Sequence, residues 1–194
     1  MPTHPFRTRT LATRSTAVAV GLSVAALTLG LAGPASAGSI EVSDPRDTAH
    51  GSDLRSVEVR NLERRVVVVT THTNLRRDSA SGSGGAVFLD TDPADKGPER
   101  VFVGGYFEGT DYQLLETDGF NRRTWGEPVE GSYELTLDYR GDRVVMRMSR
   151  AALGNPEDVR VAVTSSGTRS DGSGEAVVDW LGAPRSFTPW VARG

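Results

Sequence analysis

The sequence has no cysteine and only one lysine, Lys96; beyond residue 4 its only histidines are His50 and His72. Without cysteine there is no disulfide, no thiol nucleophile and no thiolate metal site. A domain of this length must then rely on its core, or on a bound ion, for stability. Catalytic signatures are missing as well. There is no G-x-S-x-G elbow, since SGSGG and DGSGE lack its spacing, and no H-E-x-x-H, P-loop or dinucleotide fingerprint. Carboxylate pairs of the kind a glycosidase needs are numerous, but abundant acids are ordinarily a solvated surface. The sequence therefore reads as non-catalytic. Excess positive charge is also lacking: the net charge is -3, and the leading segment holds Arg7, Arg9 and Arg14 without any acid, so the rest is more acidic still. Binding to nucleic acid or to an anionic membrane surface is disfavoured.

What is present begins with an address. The three arginines precede a small, apolar run, Ala17 to Ala32 (AVAVGLSVAALTLGLA), and Ala35-Ser36-Ala37 fits the small-x-small rule for cleavage before Gly38. The run is short for a bilayer span, which favours a cleaved secretory peptide over residues 1–37 rather than an uncleaved anchor. Thr8 separates Arg7 from Arg9, so the twin-arginine pair is missing and general secretion is favoured. No later stretch is apolar for long enough to span a membrane, and residues 38–194 amount to one domain. Richness in Arg, Ala, Val, Gly and Asp with one lysine suggests a GC-rich bacterial source.

That domain alternates short β-rich runs with Gly, Pro, Asp and Asn, which predicts an all-β antiparallel sandwich or barrel. Leu54 to Leu62 and Gly84 to Asp90 read as strands, as do Arg100 to Phe107 and Asp111 to Thr117 around a turn at Glu108-Gly109-Thr110. Arg65 to Asn74 (RVVVVTTHTN) is apolar on both faces at its centre and reads as an interior strand. Ser132 to Arg140 puts Tyr133, Leu135, Leu137 and Tyr139 on one face. Gly141-Asp142 then turns it into Arg143 to Met148. Val159 to Ser165, Glu175 to Trp180 and Phe187 to Val191 are the last predicted strands. Only Ser149 to Gly154 (SRAALG) reads as a helical turn, with Ser149 to cap it, Gly154 to end it and Pro156 to prevent its continuation. Asp78 to Gly85 and Ser165 to Gly174 read as loops.

The order of certain motifs resembles the β-sandwich superfamily that includes family 9 carbohydrate-binding modules and DOMON domains, in particular its small secreted actinobacterial proteins of unknown function. The residues are Asp53-Leu54-Arg55 opening a strand, Phe88-Leu89-Asp90-Thr91-Asp92 closing another, Ser149 to Val163, and Val178-Asp179-Trp180. The resemblance implies a jelly-roll-like sandwich with one short helical turn. It also implies a ligand that is a sugar, calcium or haem. Haem ligation would call on Met146 or Met148 and His72, residue types that more often fill cores or make structural hydrogen bonds.

Two groups of residues are candidate sites. The first is the stretch FLDTDPADKGPE, where Asp90, Asp92 and Asp95 crowd a turning loop. Clustered carboxylates can supply several of the oxygens calcium requires; the alternative is a polar turn ending a strand. Asp44, Asp47 and Asp53 form a second acidic cluster. The second candidate is aromatic. Phe120 and Trp125 sit in a polar segment beside Arg122, Arg123 and Glu127, and could stack on a sugar ring while those neighbours hydrogen-bond to it; equally they could cover the open end of the sandwich. Tyr106 and Tyr112 flank a turn and are candidates for the same groove. Trp180 and Trp190 read as core or edge-sealing residues. Taken together, these features suggest a secreted carbohydrate-binding or envelope-binding module, with a structural or protein-interaction domain as the other reading.

Overall fold

The computed structural model describes residues 38–169, 171 and 173–194. The secretory segment read over residues 1–37 lies outside the described residues. The rest is an antiparallel β-sandwich. One sheet has five strands in the order β1 (Ser39–Ser43), β2 (Leu54–Asn61), β3 (Arg65–His72), β9 (Arg143–Ser149) and β8 (Tyr133–Asp138). The other runs β11 (Ala176–Trp180), β10 (Asp158–Thr168), β4 (Gly84–Asp90), β5 (Arg100–Gly105), β6 (Tyr112–Thr117) and β7 (Trp125–Pro128). A short β12 (Val191–Ala192) also pairs with β10.

The strands that read as most apolar lie in the middle of the sheets. β3 is flanked by β2 and β9, and β4 by β10 and β5, so both have their backbone groups paired on each side. Alternate residues of each point inward. Val57, Val59, Val66, Val68, Val144, Met146 and Met148 from the first sheet meet Val87, Leu89, Phe102, Leu114, Val161 and Val163 from the second. Each of these is almost fully buried. At roughly 1.5–3 kcal/mol per large aliphatic side chain, this layer is the dominant stabilising contribution, offset by the entropy of ordering the chain.

A second, smaller apolar layer covers the outer face of the six-strand path. Ala86, Phe88, Val101, Leu115 and Ala162 lie under Phe120, Trp125, Trp180 and Phe187. This explains why β4 is apolar at successive positions: both its faces are covered.

The predicted helical turn is a single 3-10 turn, Ala151–Leu153. Ser149 Oγ accepts from the Ala152 amide (3.3 Å) and Gly154 ends the turn at φ 81°, a conformation that favours glycine. Two further 3-10 turns, Ser79–Ser81 and Arg122–Thr124, fall where the sequence offered only loop signals. The predicted two-residue turn at Gly141-Asp142 is longer. Asp138 pairs with Arg143, leaving Tyr139 to Asp142 as the connection, and the Asp138 carboxylate accepts from the Arg140 and Gly141 amides. The predicted loop at Ser165 begins late, because β10 continues to Thr168 in register with β11. Among the described residues no helix is long and apolar enough to cross a membrane.

Candidate functional site

The loop between β1 and β2, Asp44 to Asp53, carries the chemistry. Asp53, fully buried, organises it. Its carboxylate accepts from the Asp47 amide (3.2 Å), the Thr48 amide (2.7 Å) and the Thr73 hydroxyl (2.5 Å), and Arg55 lies 3.7 Å away. With both oxygens engaged, Asp53 curls the loop back on itself. The curl brings Asp44 and Asp47 against Asp179, a residue of β11 that faces the interior. One carboxylate oxygen of each of these three acids lies within 4.8 Å of the others. Oxygens on opposite sides of one calcium ion stand about 4.8 Å apart, so this spacing can be bridged by a single ion.

The electrostatics of the three acids are unfavourable without a cation. Asp44 and Asp179 are each 5% exposed. Asp44 Oδ1 accepts from the Gly182 amide (2.7 Å), but its Oδ2 is buried with no partner. Burial raises the Asp44 pKa, helped by the charges of Asp47 and Asp53 and opposed by the Gly182 amide. Asp179 accepts from the Leu54 amide (2.7 Å), yet burial and the neighbouring acids push its pKa up to about 6. An unpaired buried carboxylate oxygen is costly. The donors are all hard oxygens, which suits calcium or magnesium and not a soft transition metal.

The sequence placed the acids for calcium at Asp90, Asp92 and Asp95, and these do not come together. Asp90 faces Arg160 across the β4–β10 ladder, and Arg160 Nε and Nη2 both donate to its Oδ2 (2.8 and 2.6 Å). Asp92 accepts from the Ala94 amide and Asp95 from the Lys96 amide, each closing its own turn. Glu99 reaches back to the Thr91 amide and hydroxyl. These contacts make the stretch a self-bonded turn that ends β4. Of the second acidic cluster, Asp44 and Asp47 converge and Asp53 acts as their support. Asp179 had been noticed only within Val178-Asp179-Trp180. Its signal was available: on a strand whose inward positions are Val177 and Asp179, an acid sits where an apolar residue belongs.

The aromatic candidates are also separated. Phe120 packs on Phe88 (5.0 Å between ring centroids), Phe187 (5.4 Å) and Trp180 (6.1 Å). Trp125 is half-buried beneath the Arg122 guanidinium, 5.4 Å from the ring centroid. Both rings belong to the cover of the outer sheet face rather than to the end of the sandwich. Arg123 and Glu127 are exposed beside them. Tyr112, at the opposite end of β6, stacks on Phe102, and Tyr106 is wholly buried against His72 (5.2 Å). A buried Tyr106 has no surface to offer a ligand. His72 is committed too: its Nδ1 meets Ser52 O (2.8 Å) and its Nε2 meets Thr70 Oγ1 (2.7 Å), which leaves no lone pair to ligate iron. Met146 and Met148 lie in the core.

A concavity borders the same loop. It is an open cleft of about 640 Å³ whose walls include Arg46, His50, Asn74, Arg76 and Arg169. No model of a known protein family matches the chain, and a comparison with curated proteins finds no similar one.

Proposed function

We propose that the chain is an exported, non-catalytic binding module whose β1–β2 loop is pinned by a divalent cation, calcium by its donor set, and whose ligand is a carbohydrate of the extracellular space or cell envelope. The observation that supports it best is the buried, unpartnered Oδ2 of Asp44 among three converging carboxylates. A cation there would neutralise the repulsion among them and fix the loop that borders the cleft. The carbohydrate element is supported by the order of motifs described above and by a cleft walled with hydrogen-bonding rather than large apolar side chains. The two hydroxyls that meet a histidine nitrogen, Ser52 on His50 (2.7 Å) and Thr70 on His72 (2.7 Å), are both buried and present no nucleophile to a substrate, which fits a role in binding.

Thermal unfolding of the form that begins at Gly38 tests the cation, first in EDTA and then in calcium. A ligand of the folded state alone adds about 2.7 kcal/mol at a hundred times its dissociation constant. For a domain of this size that is a rise of roughly 5–10 °C. Asp44→Asn abolishes the rise, whereas Asp92→Asn leaves it intact. An identical melting curve in EDTA and calcium would remove the cation from this reading.

One observation favours the other reading, a protein-interaction domain. Val178, on the edge strand β11, is 59% exposed and adjoins Trp180. That reading requires a partner protein whose binding is lost in Val178→Asp, together with no binding to any glycan.

A further inference from the structure

The cleft that borders the Asp44 to Asp53 loop combines features that a neutral sugar site does not need. Arg46 and Arg76, from separate segments, line one space together with His50, Asn74 and Arg169. Among the described residues neither Arg46 nor Arg76 has a carboxylate within 4.0 Å, although acids outnumber basic residues in the chain. The one acid on the wall, Asp78, is already engaged, accepting from the Ala80 amide (2.8 Å) as the cap of the Ser79–Ser81 turn. Arg169 is paired with Glu175 at 2.9 Å. Among the described residues Arg46 and Arg76 are thus two guanidinium groups free of an ion pair on one cleft, in a chain where acids are in excess.

The backbone around it is firmly set. The Asn74 amide donates to Gly51 O (2.8 Å), the Thr73 amide to Asp53 O (2.9 Å), and His50 Nδ1 meets Ser52 Oγ (2.7 Å). The His50 ring lies flat on the backbone of β10 at Gly167, where any Cβ would overlap it. The wall is therefore built by the same loop that carries Asp44 and Asp47. No Trp, Tyr or Phe lines the cleft, so it offers no stacking platform, and its volume falls within the range of about 300–1,000 Å³ typical of small-ligand sites.

We infer that this cleft binds an oxyanion-bearing saccharide, a sugar chain carrying carboxylate or phosphate groups, with Arg46 and Arg76 holding the oxyanion and Asn74 and His50 taking sugar hydroxyls. An arginine fork matches the paired oxygens of a carboxylate or phosphate, and such charge-assisted bonds are about twice as strong as neutral ones. The inference rests on the reading of the chain as a carbohydrate-binding module and names the ligand class and seat within it.

Calorimetric titration of the calcium-loaded protein tests it with three probes: an oligogalacturonate, the same oligosaccharide fully methyl-esterified, and an oligosaccharide phosphate. Binding of an anionic probe is expected to weaken about tenfold or more in Arg76→Ala and in Arg46→Ala, and to weaken with added salt. Both side chains are exposed, so both variants keep the wild-type melting temperature. The carboxylated and phosphorylated probes distinguish the two sources of the oxyanion. Preference for the esterified probe, or anionic binding unchanged in both variants, overturns the inference while leaving the carbohydrate reading in place. Failure of all three probes to bind overturns the inference and the carbohydrate reading with it.

Discussion

Asp90 and Arg160 face each other across adjacent strands, and both guanidinium contacts fall on one oxygen of a carboxylate with no solvent exposure. Arg160 is in turn held between Phe187 (4.6 Å) and Trp190 (4.4 Å). The pair is thus part of the aromatic cover of the outer sheet face. Its two members are not equivalent, because Arg160 retains 29% side-chain exposure and Asp90 none.

That asymmetry orders two substitutions. Arg160→Leu leaves Asp90 buried and uncompensated and costs about 3–5 kcal/mol. Asp90→Leu leaves a guanidinium that can still reach water and costs less. Chemical denaturation of both variants checks the order, and a larger loss in Asp90→Leu would contradict it.

The acid response of the protein should depend on whether calcium is present. Burial lowers His72 to about 4 from 6.5, so the unfolded chain takes up a proton there that the native state refuses. Stability from this source is complete above about 6.5 and is lost as pH falls towards 4, about 3 kcal/mol in all. In the metal-free protein Asp179 has the opposite sign. Its pKa is raised from 3.8 to about 6, so the native state holds a proton that the unfolded chain gives up, and stability falls as pH rises through that window. The two slopes nearly cancel, and metal-free stability is expected to be flat between about pH 4 and 6. A bound cation keeps Asp179 ionised and leaves the His72 slope exposed. Unfolding free energies measured across this range, with EDTA and with calcium, should converge as pH falls; parallel curves would refute the account.

Ligand and cation should also depend on each other. The β1–β2 loop carries both Asp44 and Asp47 of the acidic group and Arg46 and His50 of the cleft. EDTA is therefore expected to weaken binding of an anionic saccharide in the cleft, and saturating saccharide to tighten calcium by the same factor, since the coupling is reciprocal. Two titrations, each in the presence and absence of the other ligand, measure it.

Gly167→Ala tests how the cleft wall is held. The added methyl displaces the His50 ring from the β10 backbone. The expected cost is about 1–3 kcal/mol of stability together with weaker binding in the cleft. Gly109→Ala, where no atom lies near the new Cβ, is a control for the cleft contact, although its φ of 78° brings backbone strain of its own.

Much of the fold was legible because strand periodicity is a local property. The alternation of Tyr133, Leu135 and Leu137 and the double-sided apolarity of Val66 to Val69 each identify a strand, whichever neighbours it meets. β1 and β7 lacked such a signal, being short edge strands that pair with near neighbours in the chain. The predicted strand Phe187 to Val191 shrinks to β12, Val191–Ala192, whose placement follows from partners such as Asp158–Ala192 and Val159–Val191. The sites were harder for the same reason. Asp90, Asp92 and Asp95 look like a cluster in the sequence, but Asp90 is claimed by a residue seventy positions later. Asp44 meets Asp179 only because β11 closes against the first loop. Arg46, Arg76 and Arg169 belong to no motif in the sequence and meet only where the chain brings them to one cleft.

The lone lysine has a practical consequence. Lys96 lies on the turn after the end of β4, whereas the cleft is bordered by Ser81 and Thr168, just before the start of β4 and at the end of β10. β4 and β10 are paired antiparallel, so these positions fall at opposite ends of the sheet. Gly38, the residue after the expected cleavage site, is bonded to Asn61, whose side chain reaches Glu157 beside the start of β10, at the same end as Lys96. Amine-directed coupling to a sensor chip or bead would then tether every molecule in nearly one orientation, with the arginine cleft facing the solution.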